Sequence, residues 1–243
     1  MPEPGLRTES AAGPTYGSPL FSQLRAENAA LWRAYVRHPF VDGLGDGSLG
    51  REGFLVYLRQ DYLFLIHFAR AWALAAAKSD RIEEIRACAA TVHALIDEEM
   101  RLHIETCAVA GIDAAALAAT EEAPETLAYT RYVMDAGLRG DLLDLLVALA
   151  PCVMGYGEIG LRLRADAAAA EGPYADWIAT YGGAEYQAVC DDAGALLEGV
   201  AARLIGPEPW GSPRWPDLSR GFADACRLEA AFWEPGYRAA AVE

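Results

Sequence analysis

From Arg51 to Ser79 the chain sets Phe54, Tyr57, Leu58, Asp61, Leu65, Phe68 and Trp72 at helical spacing, so that they wind down one side of a long helix. Much of the rest repeats the pattern. Phe21–Arg37 reads as a first helix, and the turn-rich stretch His38–Gly50 reads as the loop that ends it. Arg81–Ala110 reads as a third helix stopped by Gly111. Ile112–Ala123 is a connector with about one turn, and Pro124 opens a fourth helix running to about Gly137. A helix over Asp141–Ala170 follows, then a short one from Pro173 through Trp177, closed by Tyr181-Gly182-Gly183. Ala184–Leu204 is another. The proline-rich loop Gly206–Asp217 leads to a last helix, with Asp217-Leu218-Ser219 as its cap, reaching past Trp233. No stretch alternates like a strand, so the chain is all-α.

The 243 residues are 53% hydrophobic, enough for one sizeable core and one domain. Met1 to roughly Pro19 lacks periodicity and reads as a loose tail, leaving the domain at about residues 20–240. A net charge of −15 repels phosphate backbones and anionic lipid, which argues against a nucleic-acid partner. The start MPEPGLRTES does not read as a signal peptide. The apolar runs Arg51–Lys78 and Asp141–Ala170 are interrupted by charges too often to read as membrane spans. Five scattered cysteines with no CxxC suggest neither a disulfide framework nor a zinc site, and accord with a reducing cytoplasm.

Several polar residues stand where core is expected. In LAPCVMGYGEIG (Leu149–Gly160), Pro151 should kink or restart its helix. Cys152 follows it, Tyr156 lies one turn on, and Glu158 is close by. These three could wall a reactive pocket, or Cys152 could be a small buried hydrophobe. Asp61 shares a face with Phe64, Leu65 and Phe68, so it either meets a donor, such as Arg59 or a group on another helix, or faces a cavity. Glu229 has Phe232 and Trp233 on its side. Among aromatics its pKa would rise, which suits proton transfer near neutrality; otherwise it is a partly exposed acid covering Trp233. Tyr129 and Tyr132 share a face, and with Tyr156 and Tyr181 they could stack on a flat, nitrogen-rich ring or simply pack. Glu98, Glu99 and His103 lie close together. Glu99 and His103 are four apart rather than three, and no second copy exists, so a di-metal site is not expected; Glu99–His103 reads as a helix-stabilising or supporting pair.

These points come together in a resemblance to the TenA family of thiaminase II enzymes. It is carried by HPFVDGLGDGSL (His38–Leu49), FLVYLRQDY (Phe54–Tyr62), HFAR (His67–Arg70), EMRLH (Glu99–His103) and AYTRY (Ala128–Tyr132). It continues in PCVMGYGEIG (Pro151–Gly160), YADWIATYGG (Tyr174–Gly183) and EAAFW (Glu229–Trp233). The resemblance implies a heme-oxygenase-like helical bundle, with Cys152 as nucleophile and Glu229 as general acid and base. Asp61 would grip the amino group and adjacent ring nitrogen of a pyrimidine, and Tyr129, Tyr156 and Tyr181 would line the pocket. Phe64 stands where a tyrosine is common, and Val153 and Met154 replace residues that are usually more aromatic. The implied reaction hydrolyses the C–N bond at the methylene carbon of 4-amino-5-aminomethyl-2-methylpyrimidine, with thiamin as a second substrate. No cofactor or metal would be needed, and a homotetramer is the implied assembly. Two alternatives stay open on the same fold: an oxidase without a cofactor or with a metal, and a ligand-binding regulator or adaptor. If the resemblance holds, Cys152, Asp61 and Glu229 should line one cavity.

Overall fold

The computed structural model describes residues 13–166 and 169–241, and no strand occurs among them. Residues 1–12 of the expected tail lie outside the described residues. Residues 13–18 correct the remainder, because they are packed rather than loose. Tyr16 is buried, Gly17 takes a positive φ of 64°, and Ser18 caps α1 (Pro19–Glu27) by accepting from the Phe21 amide at 3.1 Å. The Ser18 hydroxyl also donates to Glu198 at 2.8 Å, tying the entry of the chain to a distant helix.

The expected first helix is two. At Asn28 the side-chain amide turns back to the Leu24 carbonyl at 2.9 Å, separating α1 from α2 (Ala29–Val36). The stretch read as a loop contains α3 (Pro39–Asp46). Its one proline and a glycine punctuate a helix: His38 caps it by accepting from the Phe40 amide, Pro39 opens it, and Gly47 ends it at a φ of 75°. Next comes α4 (Arg51–Lys78), as expected. The expected third helix is divided into α5 (Ile82–His93), a π-helical segment Ala94–Glu99, and α6 (Met100–Val109). Such a widened turn offsets the face that α6 presents. Gly111 follows at a φ of 87°.

After α7 (Ala114–Ala118) and α8 (Pro124–Arg139) comes α9 (Leu142–Arg164). Asp141 and Asp144 form a reciprocal cap at its start, and Arg214 clamps both carboxylates at 2.6 and 2.9 Å. The helix runs through Pro151 without restarting, and the Tyr35 hydroxyl donates to the Pro151 carbonyl at 3.3 Å. It ends well short of Ala170; residues 167–168 lie outside the described ones. A 3-10 turn (Ala169–Glu171), α10 (Ala175–Gly182) and α11 (Ala184–Ile205) follow. The proline-rich loop holds a 3-10 turn at Pro209–Gly211. The next helix, α12 (Trp215–Phe232), begins with Pro216 in its first turn. Asp217–Ser219 therefore lie inside α12 instead of capping it. Trp233 joins it to α13 (Glu234–Ala240).

The core is organised on α9. It is buried from Leu142 to Gly160 except at Asp144 and Glu158, and α2, α4, α8, α10, α11 and α12 pack around it. By length and hydropathy α9 could cross a membrane, contrary to the sequence expectation, yet 89% of its apolar window is buried inside the protein. A helix apolar all round is what a central core helix requires. Close approach depends on small residues. A Cβ on Gly160 would collide with the backbone of Tyr181 and Gly182 at the α9–α10 contact, whereas nothing lies within 4 Å of a Cβ on Gly199.

These two glycines make a paired test. Gly160→Ala forces backbone apart and should cost about 2 kcal/mol or more. Gly199→Ala, exposed in mid-α11, should stabilise by about 0.5–1 kcal/mol. Urea unfolding of both variants beside the parent chain reads the difference, and equal effects would contradict the packing described.

Candidate active site

Four helices bring the candidate residues together. Cys152 and Tyr156 lie one turn apart on the same face of α9, Asp61 comes from the middle of α4, Glu229 from α12 and Tyr129 from α8. The Tyr129 hydroxyl donates to Glu229 Oε1 at 2.7 Å. The Cys152 thiol and the Tyr35 hydroxyl bear on the same carboxyl. On the other side, Asp61 Oδ2 accepts from the Tyr57 hydroxyl at 3.3 Å, and that hydroxyl accepts from Trp177 Nε1 at 3.3 Å. His103 Nδ1 lies 3.5 Å from the same Oδ2.

Aromatic rings close the remaining sides. Tyr156 lies 4.9 Å from Tyr181 and 5.3 Å from Trp233. Phe64 stacks on Tyr129 at 5.2 Å and an interplanar angle of 25°, so the ring without a hydroxyl keeps its stacking role. Trp233 is fully enclosed, stacking on Phe40 at 5.1 Å and on Tyr35 at 6.2 Å. It is the post around which α2, α3, α4 and α9 place their aromatic side chains.

Burial governs the electrostatics. Asp61 is 4% exposed and Glu229 1% exposed. Loss of solvent pushes Asp61 up to about 7, against the pull of the Tyr57 hydroxyl. It pushes Glu229 up to about 8, with the Tyr129 hydrogen bond opposing and the Asp61 charge reinforcing. Glu99, only partly buried, is raised to about 8 by desolvation and then by Asp61. The Cys152 thiol is raised well above its usual value, first by burial and then by Glu229, Asp61 and Glu99. Among the described residues no Arg or Lys contacts these carboxyls. Burial therefore biases the site toward its protonated forms. It offers a thiol rather than a thiolate, next to an acid that gains and loses a proton close to neutrality.

Several expectations are corrected. Glu158 is no part of this wall: six residues from Cys152 it points to another side of α9, where it pairs with Arg25 at 2.9 Å and accepts from Trp32 Nε1 at 3.1 Å. Arg59 turns to Glu52 at 3.5 Å and does not serve Asp61. Glu99 and His103 are not a pair. Glu99 accepts from the Tyr181 hydroxyl at 3.5 Å, while His103 meets Asp61 and the Leu58 carbonyl. Glu229 is enclosed rather than covering Trp233 from outside. Tyr132 donates to the Gly221 carbonyl at 2.8 Å and packs α8 on α12. The side chain of Glu98 lies outside the described ones, and among the described residues no three His, Cys, Asp or Glu gather as a metal ion needs. The sequence reading missed Tyr35, Tyr57, Trp177 and Trp233 as site components. For Tyr57 a signal existed, since it precedes Asp61 by one turn on the same face.

A model of the TENA/THI-4/PQQC family matches residues 25–239. An aminopyrimidine aminohydrolase of Halalkalibacterium halodurans is 37% identical over 208 residues, spanning 85% of this chain and 90% of that protein. The crystal structure of a TenA family transcription regulator from Silicibacter sp. TM1040 is 55% identical and superposes with a TM-score of 0.88, covering 90% of this chain and 97% of that one. A domain of unknown function with a heme oxygenase-like fold from Shewanella denitrificans, 15% identical, covers 90% of this chain and 92% of its own with a TM-score of 0.69, a likeness of fold alone.

The raised acids carry a stability signature. Glu229 binds its proton more tightly folded than unfolded, so its contribution is complete below about pH 4.5 and is lost as pH rises through about 8. Glu229→Gln removes that dependence. The melting temperatures of parent and variant should be closest near pH 5, and the variant should gain relative to the parent as pH approaches 8. A constant difference across that window would show that Glu229 is not held protonated.

Proposed function

The chain belongs to the TENA/THI-4/PQQC family, and from this we propose that it is an aminopyrimidine aminohydrolase. The reaction replaces the amine on the methylene carbon of an aminopyrimidine by hydroxyl. The observation that carries the reading is the buried cluster in which the Cys152 thiol and the Tyr129 hydroxyl meet the Glu229 carboxyl, with Asp61 beside them.

The geometry gives the order of proton movements. Cys152 rests as a thiol, and where Glu229 has given up its own proton the sulfur attacks the electron-poor ring as the thiol proton passes to that carboxylate. Glu229 then delivers that proton to the departing amine as the C–N bond breaks. As a carboxylate again, it takes a proton from water, whose oxygen bonds to the methylene carbon while the ring–sulfur bond breaks and the thiol is restored. Water enters, ammonia leaves, and no electrons are gained or lost. Asp61 accepts the ring's amino hydrogen and stabilises the polarised ring. Tyr129 steadies the charged form of Glu229, and Tyr156, Tyr181 and Phe64 give the flat ring aromatic faces.

The substrate we assign is 4-amino-5-aminomethyl-2-methylpyrimidine, with thiamin as a poorer alternative. The aromatic walls and the Asp61 acceptor suit the shared pyrimidine half, and Glu229 suits a basic amine as leaving group. A second reading, a regulator that binds such a ligand without turning it over, has one observation in its favour, the words used for the Silicibacter structure. A net charge of −15 opposes direct contact with nucleic acid. Formation of hydroxymethylpyrimidine from the aminomethyl compound separates the readings.

The three site residues should fail differently. Cys152→Ala should abolish turnover yet keep pyrimidine binding. Asp61→Asn should weaken binding about tenfold or more, one charged hydrogen bond being worth roughly 1.5–3 kcal/mol. Glu229→Gln should spare binding and lower the rate constant by about 10²–10⁴ while flattening its pH profile. Near-parental turnover by Cys152→Ala defeats the mechanism.

We also propose assembly as a homotetramer. Val109, Leu138, Ile82 and Ile96 are 91%, 67%, 59% and 53% exposed, and these are the apolar side chains an interface would cover. Sedimentation at micromolar concentration should return four chains; a single chain would refute it.

A further inference from the structure

His103 has no task in the mechanism above, yet it is nine-tenths buried, with one ring nitrogen on a backbone carbonyl and the other facing Asp61. Its Nε2 lies 2.6 Å from the Leu58 carbonyl oxygen. A carbonyl only accepts, so Nε2 carries the proton, and a neutral ring then has a bare lone pair on Nδ1. That lone pair faces Asp61 Oδ2 at 3.5 Å. Two bare acceptors facing each other there would repel, and a proton on either one makes the contact favourable. It sits either on the carboxyl, donated to Nδ1, or on the imidazole, donated to a carboxylate.

The surroundings leave His103 in sole charge of that proton. Asp61 is faced by Tyr57 on α4, Glu99 on the π segment, Cys107 on α6, Cys152 and Tyr156 on α9, Tyr181 on α10 and Glu229 on α12. All of these are acids or neutral when protonated, and Arg59 is turned away to Glu52. Among the described residues, His103 is the one base in contact with Asp61. Burial raises the acid and lowers the base, so the resting pair is neutral, with the proton on Asp61. Both the Tyr57 and the His103 contacts fall on Oδ2, and neither engages Oδ1.

We propose that His103 is the proton store of Asp61: when an aminopyrimidine donates its amino hydrogen to Oδ1, the proton on Oδ2 passes to Nδ1, creating a carboxylate and its imidazolium partner together. The transfer breaks one O–H bond and forms one N–H bond, with nothing exchanged with solvent. A strong anionic acceptor thus arises only when a ring is there to use it, and no lone charge is left buried. His103 is a positioning residue acting through Asp61. The second half of the proposal rests on the aminopyrimidine reading; the shared proton does not.

The test uses the full chain with ¹⁵N-labelled histidine, its four histidine signals sorted by the loss of one in His103→Gln. In the free protein the His103 signals should show the Nε2–H tautomer, and Asp61→Asn should move the Nδ1 signal. Adding hydroxymethylpyrimidine to the parent chain should carry Nδ1 toward the imidazolium position. An Nδ1 signal unaffected by Asp61→Asn, or an Nδ1–H tautomer in the free protein, overturns the shared proton. His103→Gln can keep the bond to Leu58 through its own amide, so a purely structural histidine predicts parental binding. The proton store predicts a dissociation constant raised about tenfold or more at an unchanged melting temperature. Parental binding by His103→Gln overturns the proposal. Should the parent chain fail to bind the pyrimidine at all, the ligand reading falls, and the free-protein signals still decide whether the proton is shared.

Discussion

Because α9 is buried from Leu142 to Gly160 apart from two residues, it has no face to give to water, and every neighbour must be shaped to it. The two exceptions are both acids held by arginines, Asp144 by Arg214 and Glu158 by Arg25. Between them, small residues admit close neighbours. Gly155 faces the Tyr35 ring, Gly157 receives Tyr16 and the Cys190 sulfur, and Gly160 meets the backbone of α10. That tight sheath puts Tyr35 near Cys152 and sets Tyr181 and Trp233 against Tyr156, so the site follows from packing the core helix.

The same enclosure sets the chemistry. Water that would stabilise charged Asp61 and Glu229 is missing, and no arginine or lysine replaces it, so both acids are driven toward their neutral forms. A thiol among such acids is held protonated as well, so the site keeps no standing thiolate. Reactivity then depends on passing a proton between neighbours in contact. Tyrosine hydroxyls at 2.7 and 3.3 Å tune each acid individually: Tyr129 serves Glu229 and Tyr57 serves Asp61.

The helical class and most helix spans were legible from the sequence, because period and punctuation are local properties. So was the anomaly of Asp61 and Glu229, acids on apolar faces. The misreadings have several causes. Gly and Pro in His38–Gly50 and around Trp215 read as breaks, although Pro39, with His38 as its cap, opens α3 and Pro216 sits in the first turn of α12. The π segment before α6 arises within a continuous helical pattern and leaves no mark in its period. Glu158 was misplaced by counting residues instead of turns. Tyr35 and Trp177 come from distant helices, and their roles exist only once Pro151 and Tyr57 stand opposite them.

The cysteines of this protein carry a consequence of a different kind. All five are unpaired and buried, one each on α5, α6, α9, α11 and α12, and burial makes each thiol a weaker acid than a free one. Cys152 sits where a ligand would enter, but a thiol reagent in solution can reach none of the other four until its helix parts from its neighbours. The chain therefore carries four native probes of its own breathing, and the order in which those sulfurs become modified would rank their helices by how often each one opens.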